Sequence, residues 1–253
     1  RPCSRTSQGT FTKRYAQPMF QRPPFSTWPV FLLRLLHLNV GLLLYGLSIA
    51  LMVWGAIGLG PWDVFHQGLS LVTPLSFGQA MIIAGFVVLL FSAGVTRVKI
   101  GIATVLNMIL IGVWSDVFLR MPASPPEFGW VLGTVVFTAG VALGGLATGI
   151  YITAGLGAGP RDGFVLGISR MTGLSVRLSR TLVEVTVLVT GWIMGGSVGL
   201  GTVIFAVTVG PLMQYFLRLC RPLEQRYDAA DKAHRNGRLA TKAEVEVGAP
   251  RSP

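Results

Sequence analysis

Gly58-Leu59-Gly60-Pro61-Trp62-Asp63 and, 99 residues further on, Gly157-Ala158-Gly159-Pro160-Arg161-Asp162 decide how this chain is read. Each is a helix-start signal. The glycines let the backbone bend, proline suits the first helical position, and an aspartate in the first turn meets the positive end of the helix dipole. The match extends to both sides. Residues 41–76 and 140–175 share 14 identities in 36 positions, many at Gly, Pro, Asp, Ser and Thr, which apolar composition alone would not align. At an offset of 98 the register resumes, with Gly101, Thr104, Gly112 and Phe118 meeting Gly199, Thr202, Gly210 and Phe216. The chain is an internal duplication, and self-similarity of this kind is read before any other motif.

The duplicated region is apolar. Hydrophobic residues make up 51% of the 253 and charged residues only 12%, against about 25% in an average soluble domain. Residues 35–217 hold 12 of the charged side chains and the remaining 70 residues hold 19. A bilayer core needs about 20 mostly apolar residues per helix, and six stretches qualify: 35–57, 77–96, 100–119, 130–153, 178–195 and 200–219. Segments 61–73 and 160–172 are helix-like but too short to cross, so they read as half-helices or re-entrant pieces. The expected architecture is an all-α, polytopic helical membrane protein of six transmembrane helices in two repeats, each with one half-helix. Residues 1–34 form a basic cytoplasmic tail, 35–120 the first repeat, 121–129 an extracytoplasmic loop, 130–220 the second repeat, and 221–253 a cytoplasmic tail with a short helix followed by disorder. Three crossings is an odd number, so consecutive copies enter the membrane from opposite sides. That makes an inverted repeat, an arrangement many secondary transporters use. With the start cytoplasmic, 20 of the 21 Lys/Arg fall inside, Arg161 among them, and Arg120 alone falls outside.

The same distribution excludes other classes. A net charge of +11 that sits in tails and loops reflects membrane orientation rather than nucleic-acid binding. The basic C-terminal stretch is either a surface for anionic headgroups or a solvated tail. Residues 1–29 are polar and basic without the apolar stretch and cleavage site of a signal peptide, and read as a cytoplasmic tail. Cys3 and Cys220 make neither a disulfide framework nor a metal site, and no cofactor is implied. Gly195-Gly196-Ser197-Val198-Gly199 fits GxSxG but lies between two spans with no histidine placed to serve it, and HExxH, Walker A and dinucleotide signatures are absent. The chain is not read as an enzyme.

Chemistry-bearing residues concentrate around the repeated motif. Asp63 and Asp162, with Gly60, Pro61, Gly159 and Pro160, either cap their own helices or hold a solute or coupling ion at paired half-helix ends. Ser70, Thr73, Ser76 and Ser169, Thr172, Ser175 recur every three residues near one helical face, as ligand oxygens or as packing groups. Glu184 is an ionisable residue inside the fifth span, a functional candidate by its cost in hydrocarbon, but Arg180 one turn earlier offers a plain i,i+4 ion pair. Asn107, Gln214 and His66 are weaker candidates for lining a polar cavity, and Asp116 is expected to face headgroups or Arg120. The spacings Gly140 to Gly144 and Gly145 to Gly149 let helices approach closely, within the protein or across a homodimer.

The GlyLeuGlyProTrpAsp stretch at 58–63, with GlyLeuSer at 68–70 and ThrProLeuSer at 73–76, resembles the YczE/YitT-type bacterial membrane proteins over about residues 35–220. The resemblance implies a polytopic protein of the bacterial inner membrane, in a family largely without an assigned function. The second copy departs from the first at Arg161, where Trp62 stands, and at Gly173, where Pro74 stands. The expectation is a small secondary transporter or exporter of an unknown small solute or ion, embedded in the lipid bilayer with both termini cytoplasmic. The alternative is a non-transporting membrane accessory protein that acts through a partner.

Overall fold

The structure, a computed structural model, describes residues 28–96, 102–121, 129–156 and 159–248. The basic stretch 1–27 with Cys3, the Arg97 and Lys99 loop, most of the expected extracytoplasmic loop, and the side chains of Pro160 and Asp162 lie outside the described residues. The described residues form eight helices: α1 (Trp28–Gly55), α2 (Pro61–Val72), α3 (Phe77–Thr96), α4 (Ile102–Leu119), α5 (Trp130–Thr153), α6 (Pro160–Thr172), α7 (Val176–Ile193) and α8 (Leu200–Gly248). Four stretches are long and apolar enough to cross a membrane: Trp28–Gly55, Phe77–Gly94, Trp130–Thr153 and Leu200–Ala230. Of the other two expected spans, α4 holds the shorter apolar run Thr104–Leu119, and α7 has 18 residues that include Arg177, Arg180 and Glu184. Large apolar side chains such as Phe86, Leu90, Val135 and Val207 stand exposed around the bundle, the surface a hydrocarbon surround favours.

Helices α1 and α5 pack along their length at the centre. Small residues set the distance. A Cβ on Gly41 would lie 2.7 Å from the Tyr151 backbone nitrogen, and one on Gly55 would lie 2.8 Å from the Gly133 carbonyl. At the midpoint, the Ser48 hydroxyl donates to the Gly140 carbonyl across the interface at 2.7 Å. Both glycine spacings on α5 are filled from within the chain. Gly140 and Gly144 receive Ser48 and Met52, whereas Gly145 and Gly149 receive Leu212, Phe216 and Cys220 of α8.

Around this pair, α4 packs on α1, α8 on α5, α2 on α7 and α3 on α6. Gly46 seats on Trp114 of α4, as Gly145 seats on Leu212 and Phe216 of α8. The α2 and α7 backbones nearly touch, since a Cβ on Gly68 would lie 2.4 Å from the Gly191 carbonyl and one on Gly191 would lie 2.4 Å from Phe65 Cα. On the other side, the Phe91 and Phe164 rings of α3 and α6 meet edge to face at 5.3 Å.

Helix ends are closed by specific partners. Asp116 of α4 does not face Arg120. Its Oδ1 accepts from the Gly78 N–H at 2.7 Å and its Oδ2 accepts from the Ser76 hydroxyl, so one carboxylate caps the start of α3. Ser175 caps α7 by accepting from Leu178 N–H, and therefore lies outside the helical face expected for the six hydroxyls. Thr73 and Ser76 likewise fall beyond the end of α2. At the other pole α5 ends on Gly155 at φ 70°, and Arg34 donates from Nη1 to the Ala154 carbonyl at 3.2 Å. Arg34 thus belongs to the bundle rather than to a solvated tail. It is 4% exposed, its Nη2 lies 3.4 Å from Asp228 Oδ1, and its guanidinium covers the Tyr227 ring at 5.1 Å.

Beyond Cys220, where a short helix and then disorder were expected, α8 continues as helix to Gly248 and is 49 residues long. Ala, Leu, Lys, Arg and Glu dominate that stretch, and these are strong helix formers. Pro211 and Pro222 are carried inside the helix.

Two mutational outcomes follow from this packing. Gly191→Ala forces two backbones apart and lowers stability by about 1–3 kcal/mol, whereas Gly210→Ala, with open space at its Cβ, is neutral or gains up to about 1 kcal/mol; parallel melts of purified protein in detergent separate the two. Asp116→Ala removes the α3 cap and costs about 0.5–2 kcal/mol in the same assay.

Candidate functional site

The residues before α2 and before α8 break the helical pattern, and each break satisfies the other. Leu59 N–H donates to the Ser197 carbonyl at 3.1 Å and Gly201 N–H to the Ile57 carbonyl at 2.8 Å. Gly58 sits at φ 115°, and a Cβ there would lie 2.6 Å from the Gly199 nitrogen, so both its backbone angle and its surroundings demand glycine. The serine of the GxSxG match is thereby accounted for: Ser197 N–H donates to Gln67 Oε1 at 2.7 Å.

The starts of the two short helices α2 and α6 also meet. Trp62, in the first turn of α2, faces Arg161, in the first turn of α6, with the guanidinium 4.6 Å from the ring centroid. The two residues occupy equivalent positions of the duplication. Beside them opens a cavity of about 180 Å³. Its polar lining includes Trp62, His66, Asn107, Arg161, Arg180 and Glu184, the hydroxyl-bearing Tyr45, Ser48, Thr148 and Tyr151, and the Gly159 backbone at the start of α6. A Cβ on Gly159 would lie 3.4 Å from Asn107 Oδ1, so glycine keeps the opening of α6 accessible to that amide.

The charges are unevenly matched. Arg180 Nε and Glu184 Oε1 are 3.0 Å apart, one helical turn along α7. Arg161 is within ion-pair distance of no carboxylate among the described residues and has an aromatic face instead. His66 is 1% exposed, and its Nδ1 has no hydrogen-bond partner, with Asp63 Oδ1 3.7 Å away. Its ring is enclosed by those of Trp62, Phe65 and Phe77.

Of the candidate site residues singled out from the sequence, His66, Asn107, Gly159 and Glu184 meet at the cavity, and Gln214 does not line it. Asp63 is buried one layer behind it, against His66. Gly60 and Pro61 start α2, where a Cβ on Gly60 would meet the Phe205 ring at 3.0 Å. The Ser70 hydroxyl donates to the Gln67 carbonyl at 2.8 Å and that of Ser169 to the Leu174 carbonyl at 2.7 Å, both local bonds at their helices' far ends. Pro160 and Asp162 lie in the first turn of α6. Sequence reasoning missed the Arg161 and Trp62 pair. Its signal was the mismatch at one repeat position, and assigning Arg161 to a cytoplasmic loop concealed it.

Comparison with known proteins places this architecture. Residues 32–218 match the model of a family of unknown function, DUF6198. The chain is 38% identical over 179 residues to an uncharacterised membrane protein of Bacillus subtilis, YczE, covering 70% of this chain and 82% of that one. It is 33% identical over 187 residues to an uncharacterised protein of Haemophilus influenzae, covering 72% and 84%, and 26% identical over 196 residues to the uncharacterised protein YyaS of Bacillus subtilis, covering 77% and 96%. No solved structure matches. With its apolar helices and these relatives, the chain is a helical membrane protein and belongs to the DUF6198 family, of YczE type.

Proposed function

We propose that the protein is a small secondary transporter of the bacterial cytoplasmic membrane, built as two inverted halves of three crossings each, with both termini cytoplasmic and the solute held between α2 and α6. The observation that carries this reading is the cavity at which the starts of the two half-helices meet through Trp62 and Arg161, residues at one and the same repeat position. Discontinuous helices that converge on a central site are the device by which transporters of this kind hold solutes and ions.

The packing adds support. Exchanging α1 with α5, α2 with α6, α3 with α7 and α4 with α8 turns the contact of α4 on α1 into that of α8 on α5, and α2 on α7 into α6 on α3. It also carries Gly46 on Trp114 into Gly145 on Leu212, pairs related by offsets of 99 and 98. In this reading Asp63 positions His66, and Glu184, within reach of both Arg180 and the cavity, carries the coupling proton or cation. The helical extension of α8 beyond Cys220 favours the second reading, a membrane protein that acts through a docked partner.

Topology is tested with Cys3 and Cys220 changed to Ser and single cysteines at Pro74 and Thr172, exposed positions just beyond the far end of α2 and at that of α6. A membrane-impermeant thiol reagent is expected to label position 74 from outside and 172 only from inside; labelling of both from one side overturns the inverted arrangement. Truncation after Ala230, which keeps the Arg34 and Asp228 contact, is expected to leave complementation of a null strain intact. Loss of complementation with normal membrane insertion would transfer the function to the tail.

A further inference from the structure

Among the described residues the cavity wall carries a cation with no carboxylate within ion-pair distance, and its remaining surface specifies the rest of the ligand. Arg180 and Glu184 neutralise each other across 3.0 Å. The Asp63 carboxylate does not line the cavity and stands against His66. Among the described residues Arg161 has the Trp62 ring and no carboxylate within ion-pair distance, and a cation inside a membrane protein is costly unless an anion meets it. His66 also lines the cavity, with its buried Nδ1 3.7 Å from Asp63 Oδ1 and without a hydrogen-bond partner. Gly159, the residue before the first turn of α6, brings no side-chain cap to that turn, and the positive end of a helix dipole favours an anion.

The rest of the wall is mainly apolar, with Met52, Met81, Met108, Met213 and Phe205 beside the hydroxyl-bearing Tyr45, Ser48, Thr148 and Tyr151. Methionine adapts to irregular apolar shapes, and such a surface suits an apolar body better than the remaining oxygens of a sulfate or phosphate. The size is also selective, because a cavity of about 150 Å³ holds one benzene-sized molecule and this one is about 180 Å³. Among the described residues no group of three His, Cys, Asp or Glu could hold a metal ion.

We propose that the cavity binds a small organic monocarboxylate, its carboxylate between the Arg161 guanidinium and the start of α6 and its short branched or aromatic body on the methionine wall. This inference rests on the reading of the cavity as the solute site, and names the class of solute.

The test uses the purified full-length chain in detergent, with isovalerate and benzoate as probes, their neutral amides as matched controls, and sulfate as an inorganic anion. The acids are expected to raise the melting temperature in a saturable way, and the amides and sulfate to leave it unchanged. Arg161→Gln is expected to weaken acid binding at least tenfold and Arg161→Lys to retain part of it. Arg170→Gln, exposed at the far end of α6, is expected to bind as the parent does. Equal binding of acids and amides, no binding of either acid up to tens of millimolar, or undiminished binding by Arg161→Gln would each overturn the proposal. The acid and amide comparison is made on the unmodified chain, so it stands even if the Arg161 variants fail to fold. Binding without counterflow of the radiolabelled acid in proteoliposomes would support the carboxylate site and overturn the transport reading, which keeps the two failures apart.

Discussion

Close contact between the backbones of α1 and α5 is the constraint on which the other contacts depend. Inside a bilayer, helices gain little from hiding apolar side chains, because lipid tails are as apolar as leucine, and association relies on close packing and interhelical hydrogen bonds. Gly41, Gly55, Gly133 and Gly140 supply the closeness, and the Ser48 hydroxyl supplies a bond at the midpoint. With that seam fixed, Gly46 and Gly145 stand ready to receive α4 and α8. The outer helices then hold the short ones, α7 against α2 and α3 against α6.

A chain that interrupts its helices in such surroundings leaves amides and carbonyls that water cannot serve. Here one interruption answers the other: the segments before α2 and before α8 exchange two backbone hydrogen bonds. The carboxylate of Asp116, the hydroxyl of Ser175 and the guanidinium of Arg34 close three further helix ends. Most of the buried polar groups are thereby spent on structure. Arg161 and His66 are different: both lie at the cavity, and among the described residues Arg161 has no carboxylate within ion-pair distance and His66 Nδ1 has no hydrogen-bond partner.

The helical architecture was legible because its signals are local. Pro61 and Pro160 mark helix starts, and apolar runs set the limits of α3 and α5 to the residue. The duplication likewise located the half-helices. Tertiary partners were less accessible. Nothing near Asp116 in the chain indicates that it reaches the start of α3, and nothing near Arg34 indicates Ala154, Tyr227 and Asp228, which lie more than 100 residues away. At the cavity, His66, Asn107, Gly159 and Glu184 could be proposed because each is unusual in its own segment. Arg161 resembled an ordinary loop cation until Trp62 was seen to face it. The extension of α8 was obscured by its charge, which suggested disorder, although its residues are good helix formers.

Arg34 gives the long helix α8 a mechanical property. It joins the end of α5 and residue 228 of α8 to α1, and α8 then runs on to Gly248. At 1.5 Å per residue, the 20 residues beyond the clasp make an arm of about 30 Å. A tilt of about 10° at the clasp sweeps the tip of such an arm through about 5 Å, the rise of a full helical turn. Small relative movements of α1, α5 and α8 are therefore geared up at the distal end, where a displacement too slight to notice within the bundle becomes a change of position on the scale of a side chain.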